Sequence, residues 1–253
     1  MAIIVKDDSE IAIMREAGHI VGRGLKLLQE SVAPGVSTGD LDAIFEKHVR
    51  ASGAIPTFKG YRGFPASLCV SINDEVVHGI PSNQRKLKEG DIVSLDAGAT
   101  YKGWVGDAAV TVGVGKITAK AQKLIDTTRE ALDAAIQIVG PGAKLSTIAR
   151  TIQEYAETRG YAVVKKYVGH GIGQNLHEEP QVPNYVIKPV ESFEFILRAG
   201  HCIAIEPMVN EGTDDVRTLS DDWTVVTKDK RLSAHFEHTI AVTKTGREVL
   251  TRV

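Results

Sequence analysis

Apolar residues recur at helical spacing in four stretches of this chain. Met14, Ala17, Val21, Leu25 and Leu28 define the first, which Asp8 or Ser9 is placed to cap and which stops before Pro34-Gly35. Leu41, Phe45 and Val49 mark a second, with Thr38 as the expected cap and Gly53 at its C-terminal end. A third runs from about Thr118 to Val139, with Leu124, Thr128, Leu132 and Ala135 on one face, and Pro141-Gly142 breaks it. The fourth begins near Ser146, carries Ile148, Ile152 and Ala156, and ends near Gly160. Between the second and third the period shortens to that of strands, starting with Ser67-Leu68-Cys69-Val70-Ser71-Ile72. Asp91 to Leu95 reads as a strand that ends in Asp96. Lys102-Gly103 and Gly106 punctuate a reversal, and Ala109 to Val114 resumes the strand after Asp107. Two aspartates thus sit on neighbouring strands in an apolar frame, where a carboxylate must be paired, protonated or metal-bound.

The order helix, break, helix, strands occurs twice. At a shift of 107, Val32, Pro34, Gly35 and Gly53 fall on Val139, Pro141, Gly142 and Gly160, Leu41 on Ile148, and Phe45 on Ile152. With a drifting shift the polar positions follow. His78-Gly79-Ile80-Pro81 matches His177-Glu178-Glu179-Pro180, the strand into Asp96 matches the strand into Glu206, and Asp107 matches Glu237. Each half supplies a histidine, an acid ending a strand and an acid starting the next. This predicts one α+β domain over residues 1–253, made of halves at about 9–115 and 117–245 that face each other across a pseudo-two-fold axis.

Four carboxylates brought together need a cation, because like charges in one buried site raise each other's pKa. The histidine in Gly169-His170-Gly171-Ile172-Gly173 has glycines on both sides and no counterpart in the first half, which suits a ligand. Oxygen donors and one imidazole without thiolate point to Mn, Fe, Co or Zn. Each residue also has a plainer reading: Asp96 and Glu206 as turn or cap acids, Asp107 as a brace for its turn, Glu237 as a partner of His235 or His238, His170 as a loop residue. His19 and His48 fall in helix patterns, and His201 is given no catalytic role.

Composition narrows the class. The 253 residues are 43% hydrophobic and 25% charged with a net charge of −2, so no basic field for nucleic acid is expected. No apolar run is long enough to span a membrane, and the acidic start argues against a signal peptide. Cys69 and Cys202 lie in apolar runs and read as reduced core residues of a cytoplasmic protein. No Rossmann fingerprint, P-loop or nucleophile elbow is present.

Taken in order, several motifs resemble the type I methionine aminopeptidases. They are Asn73 to Pro81, Asp96 and Asp107 eleven apart, Gly169 to Gly173, His177-Glu178-Glu179-Pro180, Ile205-Glu206-Pro207-Met208 and Phe236-Glu237-His238-Thr239. The resemblance covers nearly the whole chain and implies the pita-bread fold, a curved, mostly antiparallel sheet covered by four helices. It implies two divalent ions, one held by Asp107, His170, Glu206 and Glu237, the other by Asp96, Asp107 and Glu237, and it admits a monovalent cation. It assigns Glu206 to proton transfer, His177 to the developing oxyanion and His78 to the scissile amide nitrogen. A methionine pocket maps to Tyr61, Phe64, Cys69, Leu176 and Trp223, with a small second pocket selecting small residues at position two. The implied substrates are peptides and nascent chains with N-terminal methionine, acted on by a monomer, with a transient ribosome contact compatible with that role. Leu176 stands where the family often has an aromatic and Phe64 where it often has tyrosine. No cysteine-rich zinc module or type II helical insertion is present, and the segment Val186 to Leu197 looks unusual for the family. On the same fold the alternatives are a proline-directed (Xaa-Pro) aminopeptidase and a non-catalytic binding relative. The first would carry an extra N-terminal domain, for which the helix starting near Ser9 leaves no room, and the second would lack ligand positions that are intact here.

Overall fold

The four periodic stretches fold as α1 (Asp8–Ser31), α2 (Thr38–Ala51), α3 (Ala119–Gln137) and α4 (Leu145–Glu157) in a computed structural model that describes residues 3–190 and 194–253. Two caps lie one residue earlier than the spacing suggests. Asp7, not Asp8 or Ser9, caps α1, accepting from the Ser9 and Glu10 backbone N–H groups, while Glu10 reaches back to close a capping box. Ser37, not Thr38, caps α2 with Asp40 in the same role. In both cases the acid three residues on selects the cap. Thr118 caps α3.

Among the described residues the start of α4 has no side-chain cap. Its first backbone N–H groups are met from outside, with Leu145 donating to the Phe195 carbonyl and Lys144 bridging Ile196. Residues 194–197, part of the segment that looked unusual in sequence, therefore act as an external cap; residues 191–193 of it lie outside the described residues.

Among the described residues, nine strands form the main sheet, and every pairing in it is antiparallel. The reading of Asp96 as a strand end is corrected. Ile92–Tyr101 and Trp104–Gly113 are continuous strands of one hairpin, with both aspartates inside them. Only Lys102-Gly103 turns, at φ of 48° and 82°, the two left-handed positions of a two-residue hairpin turn. Gly106 lies within the strand instead, where α1 crosses closely: a Cβ there would sit 2.6 Å from the Gly18 nitrogen. In the second half the expected break holds, since Cys202–Ile205 ends just before Glu206 and Glu237–Val242 begins at Glu237.

The halves meet where Trp104–Gly113 pairs Glu237–Val242, with Glu237 opposite Ala109 and Ala109 opposite Asp96. Directly opposed residues share a face, and so do residues two apart along a strand. Asp96, Asp107 and Glu237 are thereby placed on one face, and Glu206 and His170 join them through Ala204, which opposes His170. The intervening positions Leu95, Ile203, Ile205 and Ile240 are fully buried in the cores under the helices. Leu41 and Phe45 fill one helix-side core, Ile148 and Ile152 the other.

Candidate active site

Strand alternation delivers four carboxylates and one imidazole to the concave face. The Nε2 atom of His170 lies 3.8 Å from Asp107 Oδ2 and 3.5 Å from Glu206 Oε1. Asp107, His170 and Glu237 each offer a donor atom within 4.8 Å of the other two, and all three are buried. Asp96 Oδ1, Asp107 Oδ1 and Glu237 Oε1 are buried without a hydrogen-bond partner among the described residues. Orphaned carboxylate oxygens converging on an imidazole are the donor set of a divalent metal, so the residues fit the group. His170 Nδ1 stands 2.9 Å from the Gly171 carbonyl. Donating there, the ring keeps its Nε2 lone pair for the carboxylate side, the tautomer a ligand needs.

Burial and mutual repulsion set the protonation of the cluster. Burial raises Asp96 to about 7, with the Glu206 charge adding to it, and raises Glu206 to about 8. Asp107 and Glu237 are also pushed well above the carboxylate range, by burial first and by the neighbouring acids second. Burial lowers His170 to about 3, so its imidazole is neutral. Without a cation the site holds protons in place of charge.

The cluster forms the floor of a cavity of about 260 Å³. Its walls include every expected pocket residue: Tyr61, Phe64, Cys69, Leu176 and Trp223, with His78 and His177. Trp223 meets Phe64 edge-on at 5.0 Å between ring centroids. The His177 ring lies 4.3 Å from that of His170, tilted by 55°, and its Nδ1 lies 2.7 Å from the Tyr61 hydroxyl. Burial lowers His78 and His177 to about 4, the latter aided by Arg62, so both rings are neutral near pH 7. His78 holds a left-handed backbone (φ 60°), uncommon outside glycine, which marks it as a residue fixed by its surroundings. The Cys69 thiol, pushed well up by burial, stays protonated as one face of this pocket.

The sequence profile of metallopeptidase family M24 matches residues 12–244. The methionine aminopeptidase 1 of Bacillus subtilis is 51% identical, covering 99% of this chain and 100% of its own length. The crystal structure of the Thermotoga maritima methionine aminopeptidase superposes with a TM-score of 0.96 at 43% identity, covering both chains completely. This chain belongs to the methionine aminopeptidases of family M24. A prolidase from Pyrococcus horikoshii shares the fold at a TM-score of 0.77 and 24% identity, with 64% of its length covered, and that likeness speaks for the fold alone.

Around this methionine aminopeptidase's cavity the structure adds residues that the motifs did not name. Phe58, Arg62 and Tyr167 line it, Tyr167 meeting His78 edge-on at 5.7 Å. Tyr167 precedes the glycine-framed histidine by three positions, the one signal in the sequence that could have found it. Nothing in the pattern marks Phe58 or Arg62. His235 is 1% exposed, with both ring nitrogens unbonded among the described residues and Nε2 3.7 Å from Glu206 Oε2. It faces Glu206, not Glu237, and His238 bonds Thr251 instead, so neither histidine is the partner of Glu237. His48 is structural, its Nε2 bonding the Ile20 carbonyl of α1.

Proposed function

We propose that this methionine aminopeptidase removes the N-terminal methionine of peptides and nascent proteins whose second residue is small, by metal-dependent hydrolysis. One observation carries the reading: four carboxylates and one histidine, with Asp107, His170 and Glu237 buried, open directly into a cavity walled by Phe64, Cys69, Leu176 and Trp223. Aromatic, thiol and aliphatic walls suit an unbranched thioether side chain. Asp107, His170, Glu206 and Glu237 would hold one divalent ion, and Asp96, Asp107 and Glu237 a second. When bound, divalent metal polarises the substrate carbonyl and makes water acidic enough to attack at neutral pH.

The chain's own groups do the rest. Glu206, which lines the cavity with Oε1 3.5 Å from His170 Nε2, is the carboxylate assigned to take a proton from the attacking water and pass it to the leaving amine. The Tyr61 hydroxyl lies 2.7 Å from Nδ1 of His177, and the assigned role requires the hydroxyl to donate there, so that the Nε2 proton faces the developing oxyanion. His78, neutral and held in its left-handed backbone, is the donor assigned to the scissile amide. Steady-state release of methionine from Met-Ala-Ser, with Xaa-Pro peptides in parallel and chelator as control, tests the reading. Chelator-sensitive cleavage of Met-Ala-Ser alone supports it. Preference for Xaa-Pro substrates would replace it with the proline-directed alternative.

A further inference from the structure

Lys6 carries a charge into the interior without entering the site. The residue is 4% exposed, and its ammonium donates to Glu178 Oε2 at 2.7 Å. A buried ion pair persists only when its geometry is good and the remaining lone pairs are filled. Here the second carboxylate oxygen accepts from the Asn175 backbone N–H at 3.1 Å. Such pairs add little to stability compared with an apolar replacement, and their best-attested use is to fix one arrangement of the chain.

What this pair fixes is the turn that bears His177. Glu178 follows His177 directly and opens the strand Glu178–Val182. At the other end of the turn, a Cβ on Gly173 would lie 2.6 Å from both Glu178 Oε1 and Lys6 Cε. The last glycine of the Gly169 to Gly173 frame is therefore the vacancy in which the pair seats. The Lys6 backbone N–H donates to the Gly200 carbonyl at 2.8 Å, two residues before the strand that leads to Glu206. One residue of the N-terminal segment thus ties the His177 turn to the approach of the Glu206 strand. Tyr61 meets the His177 ring, while the Lys6–Glu178 pair meets the backbone of its turn.

We propose that Lys6 is a positioning residue for catalysis, its buried pair with Glu178 holding the 173–177 turn so that His177 faces the substrate carbonyl beside His170. The inference rests on the assignment of His177 to the developing oxyanion. A donor displaced by about 1 Å loses on the order of 10²-fold in rate. Loss of the pair therefore appears in kcat and leaves KM and metal binding in place.

The experiment is a cycle between this pair and His177, run on metal-loaded enzyme with Met-Ala-Ser. The combined change Lys6→Met and Glu178→Gln removes both charges together and keeps an amide oxygen for the Asn175 N–H, so no buried charge is stranded. Expected is a kcat loss of about tenfold or more, with KM and calorimetric metal affinity changed less than about twofold. In the His177→Ala background the same change is expected to have no further effect on kcat. Equal fold-losses in both backgrounds, or an unchanged kcat in the first, overturn the proposal. Glu178→Asp, which keeps both charges but shortens the reach, is the second variant should the first not fold, and the same pattern is required of it. A His177→Ala enzyme with wild-type kcat would instead remove the His177 assignment, a failure seen without touching Lys6.

Discussion

Removing metal from this site should load it with protons, and refilling it should expel them. With Glu206 raised to about 8, its carboxyl is roughly nine-tenths protonated at pH 7 in the metal-free protein. Asp96, raised to about 7, is roughly half protonated. Asp107 and Glu237, pushed up by burial and by the neighbouring acids, add to that count, whereas His170, lowered to about 3, adds none. Metal ligation requires the ionised carboxylates, so filling the site at pH 7 releases at least about one to two protons. Apparent affinity then falls about tenfold or more per unit of acidification below pH 7. Because the folded pKa values lie above the unfolded ones, the folded metal-free chain binds more protons than the unfolded chain between about pH 4 and 8. Its stability is present at the acid end and lost as pH rises through that window. Calorimetric titration of the metal-free protein with Mn²⁺ or Co²⁺, in buffers of different ionisation enthalpy, counts the protons. An observed enthalpy independent of the buffer at pH 7 would refute the reasoning, since it requires the four acids to be ionised before metal arrives.

His170→Ala should lower metal occupancy, and His177→Ala should keep the metal but lose about 10²–10³ in kcat, as a lost oxyanion donor does; metal titration beside steady-state kinetics separates the two. Metal-free Asp107→Asn should melt at a higher temperature than metal-free wild type at pH 8, because it removes a buried carboxylate whose pKa is raised, and it should be inactive with metal added. Cleavage should follow the size of the second residue, with Met-Ala-Ser favoured over Met-Phe-Ser by well over tenfold in kcat/KM; equal values would remove the small second pocket. Gly106→Ala should destabilise the fold without touching the metal ligands, because its Cβ meets the backbone of α1 at 2.6 Å, and a thermal melt unchanged from wild type would contradict that.

The clustering of the acids was legible because strand alternation leaves little freedom. Once Asp96 opposes Ala109 and Ala109 opposes Glu237, the period of two decides the face for Asp107 as well. The helices were legible for a similar reason, and their caps slipped by one residue only where an acid three positions later outweighed the nearer hydroxyl or carboxylate. The hairpin was misjudged at Gly106 because sequence alone does not separate a glycine that turns from one that lets a helix approach. Burial of His235 beside Glu206 was hidden too. Its own short strand, Ser233–His235, pairs Met208–Asn210 in another sheet, so the parity that located Glu237 does not extend back to it.

The division between what was legible and what was not follows the division of labour in the fold. The first half closes its hairpin with two residues, Lys102-Gly103, while the second leaves the sheet after Glu206 and returns at Glu237. Both strand pairs present an acid at each matched position, so the frame they share explains the four carboxylates. The excursion over residues 207–236 belongs to one half only. It supplies Trp223 to the cavity wall, and Tyr61, Arg62 and Phe64 come from an equally irregular turn of the first half, where Arg62 itself is left-handed at φ 49°. The four carboxylates therefore lie in segments that keep the repeat and much of the cavity wall in segments that break it, while His170, without a counterpart, and the matched pair His78 and His177 cross that division. Substitutions in 207–236 or 58–64 should shift which peptides are cleaved while metal affinity stays, because the acids stand on regular strands whose pattern singles them out, whereas the irregular wall segments carry no such pattern.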